Sequence, residues 1–401
     1  MRYIVLFGLV GCTASSSDDA PTYHGDVAPL MAQHCVSCHS EDNIAPFVLT
    51  RYEPARQMAP FIKTAVETRT MPPFHVDDSG VCQSFQGARL SDDDIETIAA
   101  WVDAGAPEGE PAEEPLEAPE HPTLENVSST LDPGIEYTPN PALADDYRCF
   151  IVDPMIDTDQ FLTGFEVHPG EPSQVHHVVL FSVDTAAELA VAHELDDAEE
   201  GPGYTCFGAS GTGPAARSLG VWTPGTPATR YPEGTGLRVV GGMPLVMQVH
   251  YNNGKLPDRT TVLLSLEPSV AREALITGVF DLQLDLVPGN AAVEESAAAP
   301  VPPLAVPVTI HGAYPHMHKL GRSLRVEYDL GGERTCLVNV PRYDFNWQQF
   351  YFYDKPVLLE PPGGGYLRIT CSYDTRGVDA PVHWGEGTNE EMCINAFYVT
   401  Y

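Results

Sequence analysis

The chain has 401 residues, which is enough for two to four domains. It carries 21 Lys and Arg against 56 Asp and Glu, and the formal net charge of −35 argues against a nucleic-acid binder and against electrostatic docking on anionic lipid. Apolar residues make up 43% of the chain, which excludes global disorder, and the sequence contains no apolar run of the ~18 residues that a membrane-spanning helix needs.

The N-terminus has the features of an export signal. Arg2 precedes a short apolar run that ends at Gly11-Cys12, and a charged start followed by a short apolar segment and a small residue is typical of such signals. Residues 9–12 resemble a bacterial lipobox, in which the cysteine is lipidated. We therefore predict that residues 1–22 are a lipoprotein signal and tether, with Cys12 as the only membrane anchor of an exported periplasmic or cell-surface protein. A buried first strand is the alternative.

Residues 23–107 have the sequence pattern of helices. Ser91 is a suitable N-cap, and the three aspartates after it favour the positive end of a helix dipole. Apolar residues then recur at helical spacing up to Gly105, which provides a C-terminal stop. The pattern predicts an amphipathic helix over residues 91–105.

The same region contains a C-x-x-C-H motif. Cys35 and Cys38 are separated by two residues, and His39 follows directly. Two thiols at this spacing can bond to both vinyl groups of a haem, while the adjacent imidazole ligates the iron. A redox-active cysteine pair or half of a zinc site is the alternative interpretation.

A methionine about thirty residues downstream can complete such a haem site. Met71 lies in a Thr-Met-Pro-Pro-Phe segment, and a thioether is a soft sixth ligand for haem iron. Met58 and His75 compete with it for this role. The region resembles a small class I cytochrome c, which implies an all-α domain over residues 23–107 with one covalently bound haem c.

The composition changes after residue 107. Residues 108–122 are rich in Pro and Glu and predict a linker on which the helical domain could swing. From residue 123 onwards, short apolar or alternating runs lie between Gly and Pro turns, which predicts β-strands. This part of the chain, roughly 270 residues, is long enough for two β-sandwiches.

Histidines are grouped at three points of the β region. His316 and His318 are two residues apart, and on a strand both would point to one face and could share a metal. His176 and His177 are adjacent, so they can bind one metal only where the strand has a bulge or a twist. His250 lies in a later apolar run. Imidazole ligates copper, zinc, iron and nickel, and a thioether partner favours copper.

These histidines, together with a methionine in a Glu-Met-Cys segment, resemble the ligands of the copper type II, ascorbate-dependent monooxygenases. This family includes the peptidylglycine α-hydroxylating and dopamine β-monooxygenases, and the resemblance covers residues from about 140 to 401. It implies two jelly-roll-type β-sandwiches, which we place at residues 123–270 and 271–401. It also implies two copper ions, one bound by His176, His177 and His250 and the other by His316, His318 and Met392.

The sequence departs from the peptide-hydroxylating branch at the positions that would recognise a peptide. Tyr314 stands where that branch has the arginine that reads the substrate carboxylate. Ile394 and Ala396 replace an asparagine and a tyrosine that follow the methionine ligand. A peptidylglycine substrate is therefore not expected.

The chain has nine cysteines, three of which are assigned above to lipid and haem. The resemblance implies two disulfides, Cys149–Cys206 and Cys371–Cys393. Cys82 and Cys336 remain, and they lie in different predicted domains. We favour two free thiols here, with an interdomain bridge as the alternative.

The resemblance implies an enzyme that hydroxylates a C–H bond of a small organic substrate with O2. The copper at His316, His318 and Met392 would lie beside the substrate, and the other copper would deliver the second electron across an open, solvent-filled gap. We expect the fused cytochrome, ascorbate or both to supply electrons, and a further redox partner could contribute. The alternatives are a non-catalytic electron-transfer or copper-binding lipoprotein, and a structural or adhesion module.

Overall fold

The computed structural model describes residues 20–401 except 42, 44, 78, 88, 113–114, 118–122, 214–215, 346, 386 and 388. The predicted signal with Cys12 lies outside the described residues, as do parts of the predicted linker. The chain divides into two compact units. The first comprises Met1–Ser37, Phe47–Pro72 and Arg89–Ala118, and the second comprises Cys38–Pro46, Pro73–Ala88 and Pro119–Tyr401.

The first unit is helical. A π-helical turn, Tyr23–Val27, leads into α1 (Ala28–His34), and α2 (Tyr52–Glu67) and α3 (Asp92–Asp103) follow. Tyr23, Met31 and Trp101 are fully buried in its apolar core.

The helix predicted over residues 91–105 is confirmed, because α3 begins with a complete capping box. Ser91 Oγ accepts the Asp94 amide proton and the Asp94 carboxylate accepts the Ser91 amide proton. Gly105 follows the helix with a φ of +88°, a conformation that glycine adopts readily.

The second unit is mostly β, with one helix among its described residues, α4 (Ala186–Asp197). Its first ten strands are β1 (Val127–Leu131), β2 (Asp145–Val152), β3 (Gln160–His168), β4 (Val175–Ser182), β5 (Tyr204–Thr205), β6 (Ser218–Trp222), β7 (Thr229–Arg230), β8 (Thr235–Val239), β9 (Leu245–Asn252) and β10 (Thr261–Glu267). The next ten are β11 (Arg272–Phe280), β12 (Asp285–Leu286), β13 (Val293–Pro300), β14 (Val308–His316), β15 (Gly321–Leu330), β16 (Glu333–Val340), β17 (Tyr351–Leu359), β18 (Tyr366–Tyr373), β19 (Val382–His383) and β20 (Ile394–Thr400).

One nine-stranded sheet runs through both halves of this unit. Its order is β1-β10-β3-β8-β11-β20-β14-β17, with β7 paired to β3. A five-stranded sheet, β5-β2-β9-β4-β6, accompanies the first half, and a four-stranded sheet, β13-β18-β15-β16, accompanies the second. The halves join where β8 pairs in parallel with β11, from Thr235 opposite Arg272 to Leu237 opposite Ala274.

Each half has its own apolar core between two sheets. In the first half, Phe165 and Leu264 of the long sheet pack with Val178 and Met247 of the five-stranded sheet. In the second half, the core combines side chains from the long sheet and from the four-stranded sheet, namely Val279, Phe397, Val326 and Ile369. Strands with alternating apolar residues bury one face, and here the buried faces meet between the sheets. Each half is therefore a β-sandwich, and the two sandwiches share the nine-stranded sheet.

Residues Pro73–Ala88, which the sequence places in the helical domain, belong to the second unit, and we call them the strap. Phe85 is buried in the core of the second sandwich and forms a β-bridge with Tyr353. The chain therefore passes between the two units at both ends of the strap as well as in the predicted linker.

The described part of the chain has three disulfides, Cys82–Cys336, Cys149–Cys206 and Cys371–Cys393. The last two pair the cysteines that the family resemblance implies. The expectation that Cys82 and Cys336 are free thiols is wrong, because the strap packs on the second sandwich and brings Cys82 to β16. No helix in the described part of the chain is long and apolar enough to span a membrane.

Candidate metal centres

The first histidine cluster lies on β4 and β9, which are neighbours in the five-stranded sheet. His177 is opposite His250, and the register shifts between Val175 and His177. This is the bulge that binding by both adjacent histidines requires. The Nδ1 atom of His177 lies 3.5 Å from Nδ1 of His176 and 3.3 Å from Nδ1 of His250. One nitrogen from each ring lies within 4.8 Å of the others, so the three side chains can hold one metal ion.

A carboxylate on β2 orients the third histidine. Asp145 Oδ1 lies 3.0 Å from His250 Nε2 and accepts a second hydrogen bond from Asn252 Nδ2, also at 3.0 Å. Because the Nε2–H group of His250 donates to this carboxylate, the ring presents an unprotonated Nδ1 to the cluster. The Tyr147 ring stacks on His250 at 4.0 Å with 6° between the planes. The sequence did not single out Asp145.

Burial keeps the first cluster uncharged. It lowers the pKa of His176 to about 4 and that of His177 well below its ordinary value, and the neighbouring His250 adds to both effects. Burial also lowers the pKa of His250, against the opposing effect of Asp145. The three imidazoles are therefore neutral at pH 7, the form in which histidine binds metals.

The second cluster forms where β14 and β20 meet. His316 is the last residue of β14 and pairs with Ile394, which begins β20, so that Met392 lies two residues before that partner. The rings of His316 and His318 are 5.1 Å apart and nearly perpendicular. His316, His318 and Met392 all line one cavity.

A buried glutamate holds this second cluster together. The Glu391 carboxylate accepts hydrogen bonds from three backbone N–H groups, those of His318 at 2.9 Å, Leu320 at 2.6 Å and Met392 at 3.2 Å. His318 Nδ1 lies 3.0 Å from the Glu390 carbonyl oxygen. Burial raises the pKa of Glu391 to about 7, against the effect of the three amide donors. Glu391 thus ties the His-x-His turn to the methionine segment.

Both clusters fit copper on their own chemistry. Among the described residues, His316 Nδ1 is a buried nitrogen with no hydrogen-bond partner, which a metal ion would satisfy. Burial lowers the pKa of His316 to about 3, so this ring is neutral too. Two imidazoles with a thioether favour copper, and three imidazoles also suit it.

A cavity of about 480 Å³ is lined by His177 of the first cluster and by His316, His318 and Met392 of the second. The Phe345 ring stands between them, stacked on His176 at 5.6 Å and edge-on to His318 at 6.0 Å. The resemblance implied an open gap, whereas here the loop between β16 and β17 places an aromatic ring in it. No local sequence pattern indicates this position of Phe345.

The residues of the predicted haem site are divided between the two units. Cys35 and Cys38 lie in the turn that follows α1, and both are half-buried. Cys35 and Met71 belong to the first unit, whereas Cys38 and His39 belong to the second.

Met58 and His75 are the alternatives to Met71 as haem ligand, and each packs in a different part of the chain. Met58 packs against the helical core of the first unit. His75 lies in the strap, where its amide donates to Tyr351 Oη at 3.2 Å and its ring lies 6.1 Å from Tyr343.

The second donor set and His177 of the first line one cavity, so the described residues offer two candidate metal sites. Residues 291–401 match the family model of the copper type II ascorbate-dependent monooxygenase, C-terminal domain. Over these residues the second sandwich is similar to that family.

Curated relatives extend the similarity beyond the second sandwich. The chain is 28% identical over 294 residues to peptidyl-glycine alpha-amidating monooxygenase A of Xenopus laevis, covering 68% of this chain and 28% of that protein. It is 25% identical over 277 residues to putative DBH-like monooxygenase protein 2 of Homo sapiens, with coverages of 62% and 52%. It is 27% identical over 205 residues to dopamine beta-hydroxylase of Canis lupus familiaris, with coverages of 46% and 31%. The chain spans between about a quarter and a half of the length of these relatives.

Proposed function

We propose that the chain is a dicopper monooxygenase that hydroxylates a C–H bond of a small organic substrate. One observation carries the proposal, namely that a donor set suited to copper, together with His177 of a second such set, lines one cavity large enough for such a substrate. Copper bound there supplies one-electron transfer and O2 chemistry. In the overall reaction one oxygen atom enters the product and the other leaves as water, with two electrons and two protons consumed.

The protein contributes fixed geometry and a cavity lined largely by apolar side chains. Asp145 orients His250, and Glu391 fixes the spacing of His318 and Met392 through their backbone amides. The Cys371–Cys393 disulfide ties the residue after Met392 to β18. Ligands held in this way need little rearrangement during a redox cycle.

We further propose that the electrons come from a haem c attached to Cys35 and Cys38, with ascorbate as an alternative or additional reductant. His39 and Met71 would be its axial ligands. The position of the C-x-x-C-H motif directly after α1 supports this.

The three disulfides indicate an exported protein. The lipid anchor at Cys12 and a periplasmic or cell-surface location belong to the same proposal, as does the division into sandwiches at residues 123–270 and 271–401. The end of β10 at Glu267 and the start of β11 at Arg272 support a boundary near residue 270.

The first test is the metal and haem content of the full chain matured with copper and haem. We expect two coppers and one haem c, a fall towards one copper in Met392→Ala, and no loss in Met155→Ala, whose side chain is 82% exposed. We also expect reductant-dependent incorporation of labelled O2 into a product, and reoxidation of the pre-reduced haem on a stopped-flow timescale when copper is added.

Each outcome separates the parts of this proposal. Two coppers without O2 uptake coupled to a product would identify a non-catalytic copper or electron carrier. Full copper occupancy without haem would overturn the cytochrome, and a haem that stays reduced beside oxidised, competent copper would assign the electrons to ascorbate.

A further inference from the structure

The cavity lined by His177 and the second cluster has mainly apolar, aromatic and amide side chains on its walls. None of the described residues that line it is Asp, Glu, Lys or Arg. Its polar groups beside the histidines are hydroxyls and amides, as in Gln248 and Gln348. Lys319 is the charged residue that comes close, with its Nζ 5.9 Å from the centre of the Phe345 ring, but it is exposed and does not line the cavity.

Strand register places an apolar wall directly beside the second cluster. Across three neighbouring strands, Phe280 of β11 is opposite Ile394 of β20, which is opposite His316 of β14. In the next row on the same face, Ala396 is opposite Tyr314. A molecule lying over Ile394 and Ala396 therefore contacts carbon surface on one side and the ligand His316 on the other.

The polar groups of this wall are already paired with each other. The Tyr314 hydroxyl donates to Gln348 Oε1 at 3.3 Å, and Gln348 Nε2 donates to the Phe345 carbonyl at 2.9 Å. Tyr314 stacks on His316 with 12° between the planes.

A charged substrate would lose its hydration in this cavity without gaining an ionic partner from the described lining. Burying an unpaired charge costs far more than burying a neutral polar group. The mouth is apolar as well, since Phe280 is 45% and Leu282 is 63% exposed. Aromatic side chains, among them Phe350 and Trp384, form much of the remaining lining, and such rings favour flat apolar ligands.

We propose that the substrate of this site is an uncharged, mostly apolar organic molecule, most simply an aromatic one, and not a carboxylate or an ammonium ion. That the bound molecule is a substrate rests on the proposed function, whereas the binding selectivity follows from the cavity alone. It separates this chain from a site that recognises its substrate through an ion pair.

The test compares three probes of similar size on the metal-free full chain, 2-phenylethanol, 2-phenylethylammonium and phenylacetate. Saturation-transfer NMR and titration calorimetry report binding without copper or turnover. We expect 2-phenylethanol to bind roughly tenfold or more tightly than either ion. Equal or tighter binding of either ion, or binding of none of the three, would overturn the proposal.

Variants at Tyr314 sharpen the result. Tyr314→Arg places a cation beside His316 and is expected to reverse the preference towards phenylacetate, whereas Tyr314→Phe should keep the preference for 2-phenylethanol. If the arginine variant fails to fold, the ranking on the unmodified chain still decides the question. A chain that binds 2-phenylethanol selectively but incorporates no O2 when loaded with copper would refute the proposed function and leave the selectivity intact.

Discussion

In both clusters, a carboxylate that is not a predicted metal ligand holds the ligand side chains in position. Asp145 and Glu391 come from strands or segments next to the ligands and bind either a ligand ring or the backbone beside it. Such partners fix which nitrogen faces the metal and limit the movement of the ligand when the charge on the metal changes.

Asp145 offers a direct test at the scale of one residue. Asp145→Asn keeps the shape but weakens the hydrogen bond that holds the Nε2 proton of His250, and we expect a ~10–100-fold loss of copper affinity at the first cluster. The measurement is competition with a chromophoric Cu(I) chelator in a Met392→Ala background, so that the first cluster is titrated alone. Asp159→Asn, which removes a surface carboxylate paired with Arg238, is the control. An affinity as high as that of the Met392→Ala parent would show that the carboxylate does not orient the ring.

At the scale of elements, the pairing of β14 with β20 contains a buried histidine outside both clusters. His311 Nε2 lies 2.9 Å from Thr400 Oγ1, and burial lowers the pKa of His311 to about 4, with Arg272 adding to the effect. In the unfolded chain a histidine titrates near pH 6.5. The unfolded state therefore binds a proton first as the pH falls, so the stability due to neutral His311 is complete above about 6.5 and is lost towards pH 4.

We expect His311→Gln to reduce this acid sensitivity. Glutamine can keep the bond to Thr400 but does not titrate, so the urea midpoint of the metal-free variant should fall less between pH 7.5 and pH 5 than that of the parent. The difference can reach at most about 1.4 kcal/mol per pH unit for one proton. The other titrating groups are the same in both proteins, so their contributions cancel in the comparison. Parallel pH profiles of the two urea midpoints would contradict the assignment of this acid sensitivity to His311.

At the scale of the whole molecule, the strap joins an early part of the chain to the second sandwich. Besides the Cys82–Cys336 disulfide, Gln86 N donates to the Phe352 carbonyl at 2.7 Å and Asp77 N donates to the Asn339 carbonyl at 2.7 Å. The disulfide closes a loop over 254 residues of sequence, and long loops restrict the unfolded chain most.

Cys82→Ser is therefore expected to lower the free energy of unfolding by about 2–5 kcal/mol and to speed amide hydrogen exchange within the strap. Val81→Ser alters the neighbouring residue, whose side chain is 68% exposed, and should change stability by no more than about 0.5 kcal/mol. Unchanged exchange in the strap after loss of the disulfide would mean that its hydrogen bonds and Phe85 alone hold it in place.

Local pattern predicts well those features that depend on neighbours in sequence. Helix α3 follows from Ser91 and the aspartates after it, and the need for a bulge at His176 follows from the alternation of side chains along a strand. Features that depend on distant pairing were missed. The sheet joins its halves through only three residue pairs, and the approach of Asp145 to His250 depends on how β2 pairs with β9, for which no short motif exists.

The shared sheet also determines which pieces of the chain can be handled alone. The family match begins at residue 291, yet β11 precedes it and pairs with β20 over seven residues, from Ala274 to Phe280. A fragment that starts at 291 would leave that edge of β20 bare, with a row of free N–H and C=O groups ready to recruit another chain. A fragment that starts just before Arg272 keeps the β11–β20 pairing and exposes the short edge that met β8, but it also lacks the strap, whose Phe85 fills part of the core and whose Cys82 bonds to Cys336. Truncation at the family boundary would thus favour aggregation, and a stable isolated sandwich would need both β11 and the strap.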